Sequence, residues 1–145
     1  DLDVFVPVYW LKKCVSVLSE FELVGICGSL VQDKLSFDLN TGISKTKDSV
    51  LFSHVESIGG ACMVFRAKEV KDYGWDEELV SDHIDAYMIT RYRNDGKSTY
   101  AILERGYHPR EVYESERFRN MKLDRFEKEL PKFYKVVNKL KKGRT

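Results

Sequence analysis

Acidic side chains occur in the sequence as two close pairs. Asp1 and Asp3 are one residue apart, and Asp82 and Asp85 are three residues apart. Carboxylate oxygens bind hard divalent cations, and a carboxylate close to a substrate hydroxyl can act as a general base. Each pair also has a structural interpretation: the first as solvated turn residues, the second as acids that cap a helix start and suit its dipole. The spacing alone leaves both interpretations of each pair open.

A histidine that precedes a proline is a further candidate. Pro109 restricts His108 to an extended backbone, which projects the side chain from a strand end or a loop. A neutral imidazole suits Mn²⁺ better than Mg²⁺. The structural interpretation of His108 is a loop residue hydrogen-bonded to backbone; a role as metal ligand depends on the resemblance described below, and the two are weighted equally.

The elements that would position these residues follow from hydrophobic periodicity. The sequence predicts helices at Tyr9–Phe21, Arg66–Tyr73, Asp82–Asn94 and Ser115–Leu140, and strands at Val24–Val31, Leu51–Val55, Ala61–Arg66 and Ser98–Glu104. A turn at residues 40–42 predicts a small hairpin between residues 35–39 and residue 43. Pro131 predicts a break in the last helix or the start of a separate one. Strands that alternate with helices indicate an α/β fold with a mixed sheet flanked by helices.

Composition is typical of a globular domain. The 145 residues are 43% hydrophobic and 32% charged, with a formal net charge of +1. This length suits a domain with a sizeable core, and the low net charge argues against a nucleic-acid partner bound through bulk charge. Cys14, Cys27 and Cys62 stand in apolar settings, which predicts reduced core thiols. Together with the lack of a visible secretory signal, this favours a cytoplasmic location.

The order of motifs from Gly59 to Gly96 resembles GT-A-fold glycosyltransferases, in particular the large family related to cellulose and chitin synthases. A Gly-Gly pair opens a strand, a short helix stops at Gly74, a Trp-Asp-Glu step follows at Trp75–Glu77, and an acidic pair heads a helix that stops at Gly96. Asp1-Leu2-Asp3 fits the Asp-x-Asp motif of the same family. The resemblance covers roughly residues 1–108, and its motifs gain specificity from their order.

The resemblance implies both a fold and a reaction. It implies a GT-A-like, Rossmann-like domain over residues 1–110, with the family's N-terminal nucleotide-binding part before the first residue of the numbering, and a basic helical extension over residues 111–145. It implies transfer of a sugar from a nucleoside-diphosphate sugar to a hydroxyl of a carbohydrate, lipid or protein, with inversion of configuration. The metal would be Mn²⁺ or Mg²⁺, which neutralises the departing diphosphate.

The resemblance also implies roles for individual residues. Asp1, Asp3 and His108 would hold the metal, and Asp82 would be the general base. The family usually shows Glu-Asp where this chain has Ser81-Asp82, which leaves Asp85 as a second candidate base. The predicted substrate-binding residues are Gly59, Gly60 and Ala61, which keep the floor of the site small enough for a sugar ring, and Trp75, Asp76 and Glu77, which face the acceptor.

Other interpretations remain open at this stage. A glycosyltransferase-like domain without turnover could bind a carbohydrate or a protein partner. A nucleotidyltransferase would need a glycine-rich, basic phosphate loop, and the sequence contains none. The segment at 132–144 predicts a helix with a basic and an apolar face, which either contacts an anionic membrane peripherally or caps the domain.

Overall fold

The computed structural model describes residues 4–31, 41–59, 62–73, 84–107 and 116–142. In chain order these residues form α1 (Trp10–Glu20), β1 (Val24–Ser29), β2 (Ile43–Lys45), β3 (Leu51–His54), β4 (Met63–Phe65), α2 (Ala67–Tyr73), α3 (Ile84–Asn94), β5 (Ser98–Ile102) and α4 (Glu116–Lys142). Each predicted helix and strand in these ranges has a counterpart, with ends that differ by a few residues. The predicted α/β class is therefore confirmed.

The five strands form one mixed sheet in the order β2-β3-β5-β1-β4. The pair β1–β5 is parallel, whereas β1–β4, β3–β5 and β2–β3 are antiparallel. All six residues of β1 are buried, as expected for a central strand with helices on both faces. The continuous apolar run in the sequence therefore corresponds to the middle of the sheet.

Two hydrophobic clusters cover the two faces of the sheet. Successive strand residues point to opposite faces, and Ile26 and Cys27 accordingly belong to different clusters. Cys27 packs with residues of α1 such as Val17, while Ile26 packs with residues of α3 and with Val136 of α4. The apolar face of α4 near Val136 is thus occupied by the core of the domain.

Pro131 does not break the last helix, so the prediction of a break or a new helix start at this residue was wrong. Helix α4 runs through it from Glu116 to Lys142. A proline inside a helix removes one backbone hydrogen bond and costs about 3 kcal/mol. Phe133 and Val136, in the turns that follow, pack against the core. Tertiary packing of this kind contributes most of a helix's stability in proteins, and here it outweighs the proline.

The hairpin of the sheet joins β2 to β3, through a turn at Thr46–Ser49. The Thr46 N–H donates to the carbonyl of Val50 at 3.0 Å, and Ser49 takes a positive φ of 65°. The hairpin predicted around residues 40–42 falls largely outside the described residues. Among the described helices, none is long and apolar enough to cross a membrane.

Candidate functional site

The two parallel strands end at the same edge of the sheet, which we call the carboxyl edge. Pairing runs from Val24 with Ser98 to Ser29 with Ile102, so both strands point toward this edge. Ligands of α/β proteins commonly bind outside the carboxyl ends of strands. The segments that reach the carboxyl edge are therefore the first candidates for a functional site.

The segment before α1 meets the segment after β5 in an isolated antiparallel bridge. The Phe5 N–H donates to the Tyr107 carbonyl at 2.8 Å, and the Tyr107 N–H donates to the Phe5 carbonyl at 2.7 Å. The two exposed rings lie side by side, with centroids 6.3 Å apart. In sequence, Asp3 stands two residues before Phe5, and His108 directly follows Tyr107. Asp1, Asp3 and His108 lie outside the described residues.

The end of β1 holds the Tyr107 segment through the buried Ser29. The Ser29 hydroxyl donates to the Glu104 carbonyl at 2.9 Å and accepts from the Gly106 N–H at 3.0 Å. The same Gly106 N–H also reaches the carbonyl of Leu30 at 3.0 Å. On α1, the ammonium group of Lys13 pairs with the carboxylate of Glu104. The bridge to Phe5 therefore lies at the carboxyl edge.

The Gly-Gly segment also reaches the carboxyl edge. Met63, the first residue of β4, pairs with Gly28 near the end of β1, and the Cys62 N–H donates to the Gly59 carbonyl at 3.1 Å. Gly28 is packed tightly, because a Cβ there would lie 1.9 Å from the Cys62 carbonyl oxygen. Within the described part of the chain, a Cβ at Gly59 would meet no atom within 4 Å. The neighbouring Gly60 and Ala61 lie outside the described residues.

Helix α3 begins toward the same edge. Near its end, the Tyr92 ring packs against Gly25 at the start of β1, and the N–H of Lys97, just before β5, donates to the Tyr92 carbonyl at 3.0 Å. The helix therefore runs from the carboxyl edge toward the amino ends of the strands. Asp85 lies in its first turn, half-buried, and its Oδ1 accepts from the Ala86 N–H at 2.7 Å.

The structure thus brings the described candidates Gly59 and Asp85 to one edge with the Phe5–Tyr107 bridge. Four further candidates, Asp82, Trp75, Asp76 and Glu77, fall outside the described residues. Within the ranges that the structure describes, no group of three or more His, Cys, Asp or Glu side chains could hold a metal ion. The predicted ligands are not part of those ranges.

The cysteines belong to the core rather than to the site. All three are unpaired and buried, in agreement with the prediction of reduced core thiols. A hydrogen bond with Cys14, together with burial, raises the pKa of the Cys27 thiol, and burial raises the pKa of Cys62. Because the thiolate is the nucleophilic form, the raised pKa keeps Cys27 and Cys62 in the less reactive thiol form near neutral pH.

Two residues at the carboxyl edge were not predicted from the sequence, namely Ser29 and Gly106. Ser29 carries the one hydroxyl in the otherwise apolar run Val24–Val31, and a buried hydroxyl needs a hydrogen-bond partner. A polar side chain in an apolar strand is therefore the feature by which the sequence could have identified Ser29. Gly106 has no comparable signal, because its tight contacts come from Val31 and the Phe5 carbonyl, which are distant in sequence.

Comparison of the chain with protein-family models, with curated proteins and with solved structures found no match. Function is therefore inferred from the chain's own residues and geometry. Three segments converge at one edge of the sheet: the Phe5–Tyr107 bridge, the Gly59 segment before β4 and the start of α3.

Proposed function

We propose that this chain is the acceptor-side part of a metal-dependent, inverting glycosyltransferase of GT-A-like fold. It would transfer a sugar from a nucleoside-diphosphate sugar to an acceptor hydroxyl. The observation that carries the proposal is the convergence at the carboxyl edge. Each converging segment adjoins one of the sequence motifs, namely Asp-x-Asp, Gly-Gly and the acidic pair. The mixed sheet with helices on both faces supports the fold assignment.

The metal would be held by Asp1, Asp3 and His108. Two carboxylates and one imidazole form a donor set that suits Mn²⁺. The proposal is supported by the Phe5–Tyr107 bridge, because its two hydrogen bonds join the sequence segments that carry these donors. When bound, the cation supplies positive charge that stabilises the departing diphosphate.

The proton of the acceptor hydroxyl would pass to Asp82. The acceptor oxygen forms its bond to the anomeric carbon as the bond from that carbon to the diphosphate breaks, and a carboxylate base accepts the released proton. The proposal takes Asp82 rather than Asp85 as the base, and it is supported by the contact of Asp85 Oδ1 with the Ala86 N–H, which gives Asp85 a structural role. A carboxylate in that position stabilises the helix start.

Room for the sugar ring would come from the Gly59 segment. The space that the described residues leave around Gly59 agrees with a small floor formed by Gly59, Gly60 and Ala61. Trp75, Asp76 and Glu77 would contact the acceptor. In this arrangement the buried strands β1 and β5 supply rigidity, and the segments beyond them supply the chemistry.

Calorimetric titration tests the proposal with Mn²⁺ and a nucleoside diphosphate, using UDP and GDP separately. Because the cation would hold the diphosphate, the parent chain is expected to bind the nucleotide through Mn²⁺ even without the family's nucleoside-binding part, and Asp3→Ala is expected to abolish this coupling. Asp72→Ala removes an exposed carboxylate on α2 and serves as the matched control with unchanged binding. Equal coupling in the parent and in Asp3→Ala would contradict the metal site.

A further inference from the structure

Ser29 stands out among the buried polar residues because its hydroxyl makes two hydrogen bonds to another segment of the chain. It is fully buried at the end of β1. It donates to the Glu104 carbonyl and accepts from the Gly106 N–H, so both of its hydrogen-bonding functions are used by the loop that follows β5. The next residue of that loop, Tyr107, is the one bridged to Phe5.

Close packing at Gly106 completes this connection. A Cβ at Gly106 would lie 2.5 Å from Val31 Cγ1 and 2.8 Å from the Phe5 carbonyl oxygen. The loop is therefore pressed against both the end of β1 and the segment before α1. Any displacement of the Glu104–Gly106 backbone must also displace the Phe5–Tyr107 bridge.

We propose that Ser29 is a positioning residue that sets the relative placement of the two segments carrying the metal ligands, an inference that rests on the proposed function. Ser29 acts through the backbone of Glu104 and Gly106, and it does not itself touch the metal or the substrate. Groups hydrogen-bonded directly to metal ligands typically change metal affinity or activity by 10–100-fold when they are removed; because Ser29 acts through the backbone, the lower end of this range is expected.

The chain offers a matched control in Ser53. This serine is also fully buried in the same sheet, and its hydroxyl donates to the Gly42 carbonyl at 2.8 Å. It lies on β3, opposite Ile43 and Ala101, and none of its described contacts reaches residues 104–107. Ser29→Ala and Ser53→Ala therefore remove comparable buried hydroxyls, but only the first affects the carboxyl edge.

The test measures Mn²⁺ affinity in the presence of UDP or GDP, together with amide hydrogen exchange at residues 105–107. Ser29→Ala is expected to weaken Mn²⁺ binding by about tenfold or more and to speed exchange at Gly106 and Tyr107. Ser53→Ala is expected to leave both quantities at the parent values, even where its melting temperature falls equally. Gly106→Ala keeps the Ser29 hydroxyl but forces the bridge apart, and it is expected to weaken Mn²⁺ binding as well.

The outcomes separate this inference from the proposed function. If the parent couples Mn²⁺ to nucleotide binding but Ser29→Ala and Gly106→Ala bind as the parent does, the positioning role is overturned and the metal site stands. If Ser53→Ala weakens Mn²⁺ binding as much as Ser29→Ala, the effect is general destabilisation and the role is again overturned. If the parent shows no coupled binding, both proposals are wrong.

Discussion

Arg66 directly follows β4, and its guanidinium links the end of α1 to the start of β1, so its removal is expected to destabilise the domain. Its guanidinium donates to the carbonyls of Val24 at 2.7 Å and Phe21 at 2.9 Å, and also to the carbonyl of Leu18. Two of these carbonyls belong to the end of α1, which needs partners for its last carbonyl groups. Glu69 accepts a further hydrogen bond from Arg66 at 3.1 Å.

The magnitude follows from these contacts. A hydrogen bond that involves a charged group contributes about 1.5–3 kcal/mol. The three carbonyl contacts of Arg66, each taken at that value, give an upper bound on the unfolding free energy that the substitution removes. The expected loss is well below this bound. The Arg66 side chain is 26% exposed, which lets water replace part of the loss. The Phe21 carbonyl also keeps a second donor, the Val24 N–H at 3.0 Å. We therefore expect Arg66→Met, which retains the apolar stem, to lose about 3 kcal/mol of unfolding free energy.

Urea denaturation provides the assay. With a slope of about 2 kcal/mol per molar urea for a domain of this size, the midpoint should fall by about 1.5 M without a change in slope. Arg66→Lys keeps the charge but lacks the planar guanidinium group, so its urea midpoint should lie between those of the parent and Arg66→Met. Arg93→Gln is the control, because Arg93 is exposed and contacts the single carbonyl of Glu56. Equal midpoints for Arg66→Met and Arg93→Gln would refute the role of Arg66.

Three further predictions concern the core and the site. Gly28→Ala should cost about 3 kcal/mol of stability, because its Cβ meets the Cys62 carbonyl oxygen. Gly59→Ala should melt like the parent and weaken only donor-sugar binding. Equal melting temperatures of the two variants in calorimetry would contradict this. The pKa of Cys27 is raised on folding, so the stability that this thiol contributes is complete below the unfolded thiol pKa of about 8.5. Above that pH, the free energy of unfolding should fall by about 1.4 kcal/mol per pH unit. In Cys27→Ala, the free energy of unfolding measured in urea should therefore decrease less steeply between pH 9 and 10.5, and the same pH dependence as in the parent would count against a neutral buried thiol. Asp82→Asn should lower sugar transfer about 10²–10⁴-fold with unchanged melting, while Asp85→Asn should retain turnover because Asn can still accept the Ala86 N–H; the reverse pattern would assign the base to Asp85.

The sequence predicted the local elements well because hydrophobic periodicity is a local property. Helix α1 was expected at Tyr9–Phe21 and spans Trp10–Glu20, and the strand expected at Ser98–Glu104 spans Ser98–Ile102. The order of the strands was not predicted, because it depends on pairings between residues far apart in the chain. Pro131 was misjudged because the burial of Val136, a tertiary effect, outweighs a local preference.

The candidate site shows the same division between local and distant information. The motifs could be read from neighbouring residues, but the contacts that bring their segments together could not. The bridge of Phe5 with Tyr107 and the contacts of Arg66 with Leu18 and Phe21 depend on how α1 packs on the sheet. Ser29 could have been recognised as a hydroxyl in an apolar strand, although its partners could not.

The geometry of the carboxyl edge bears on both functions that the sequence left open. A binding platform gains affinity when the segments that contact its ligand are held in place before binding. In this chain the relation between the segments before α1 and after β5 is fixed by the two hydrogen bonds of the Phe5–Tyr107 bridge, by the two hydrogen bonds of Ser29 and by the absence of a side chain at Gly106. Catalysis likewise depends on holding reacting groups within a narrow range of positions. Placement of the two segments therefore suits either function, and Mn²⁺-dependent binding of a nucleoside diphosphate is the property that an enzyme needs and a platform does not.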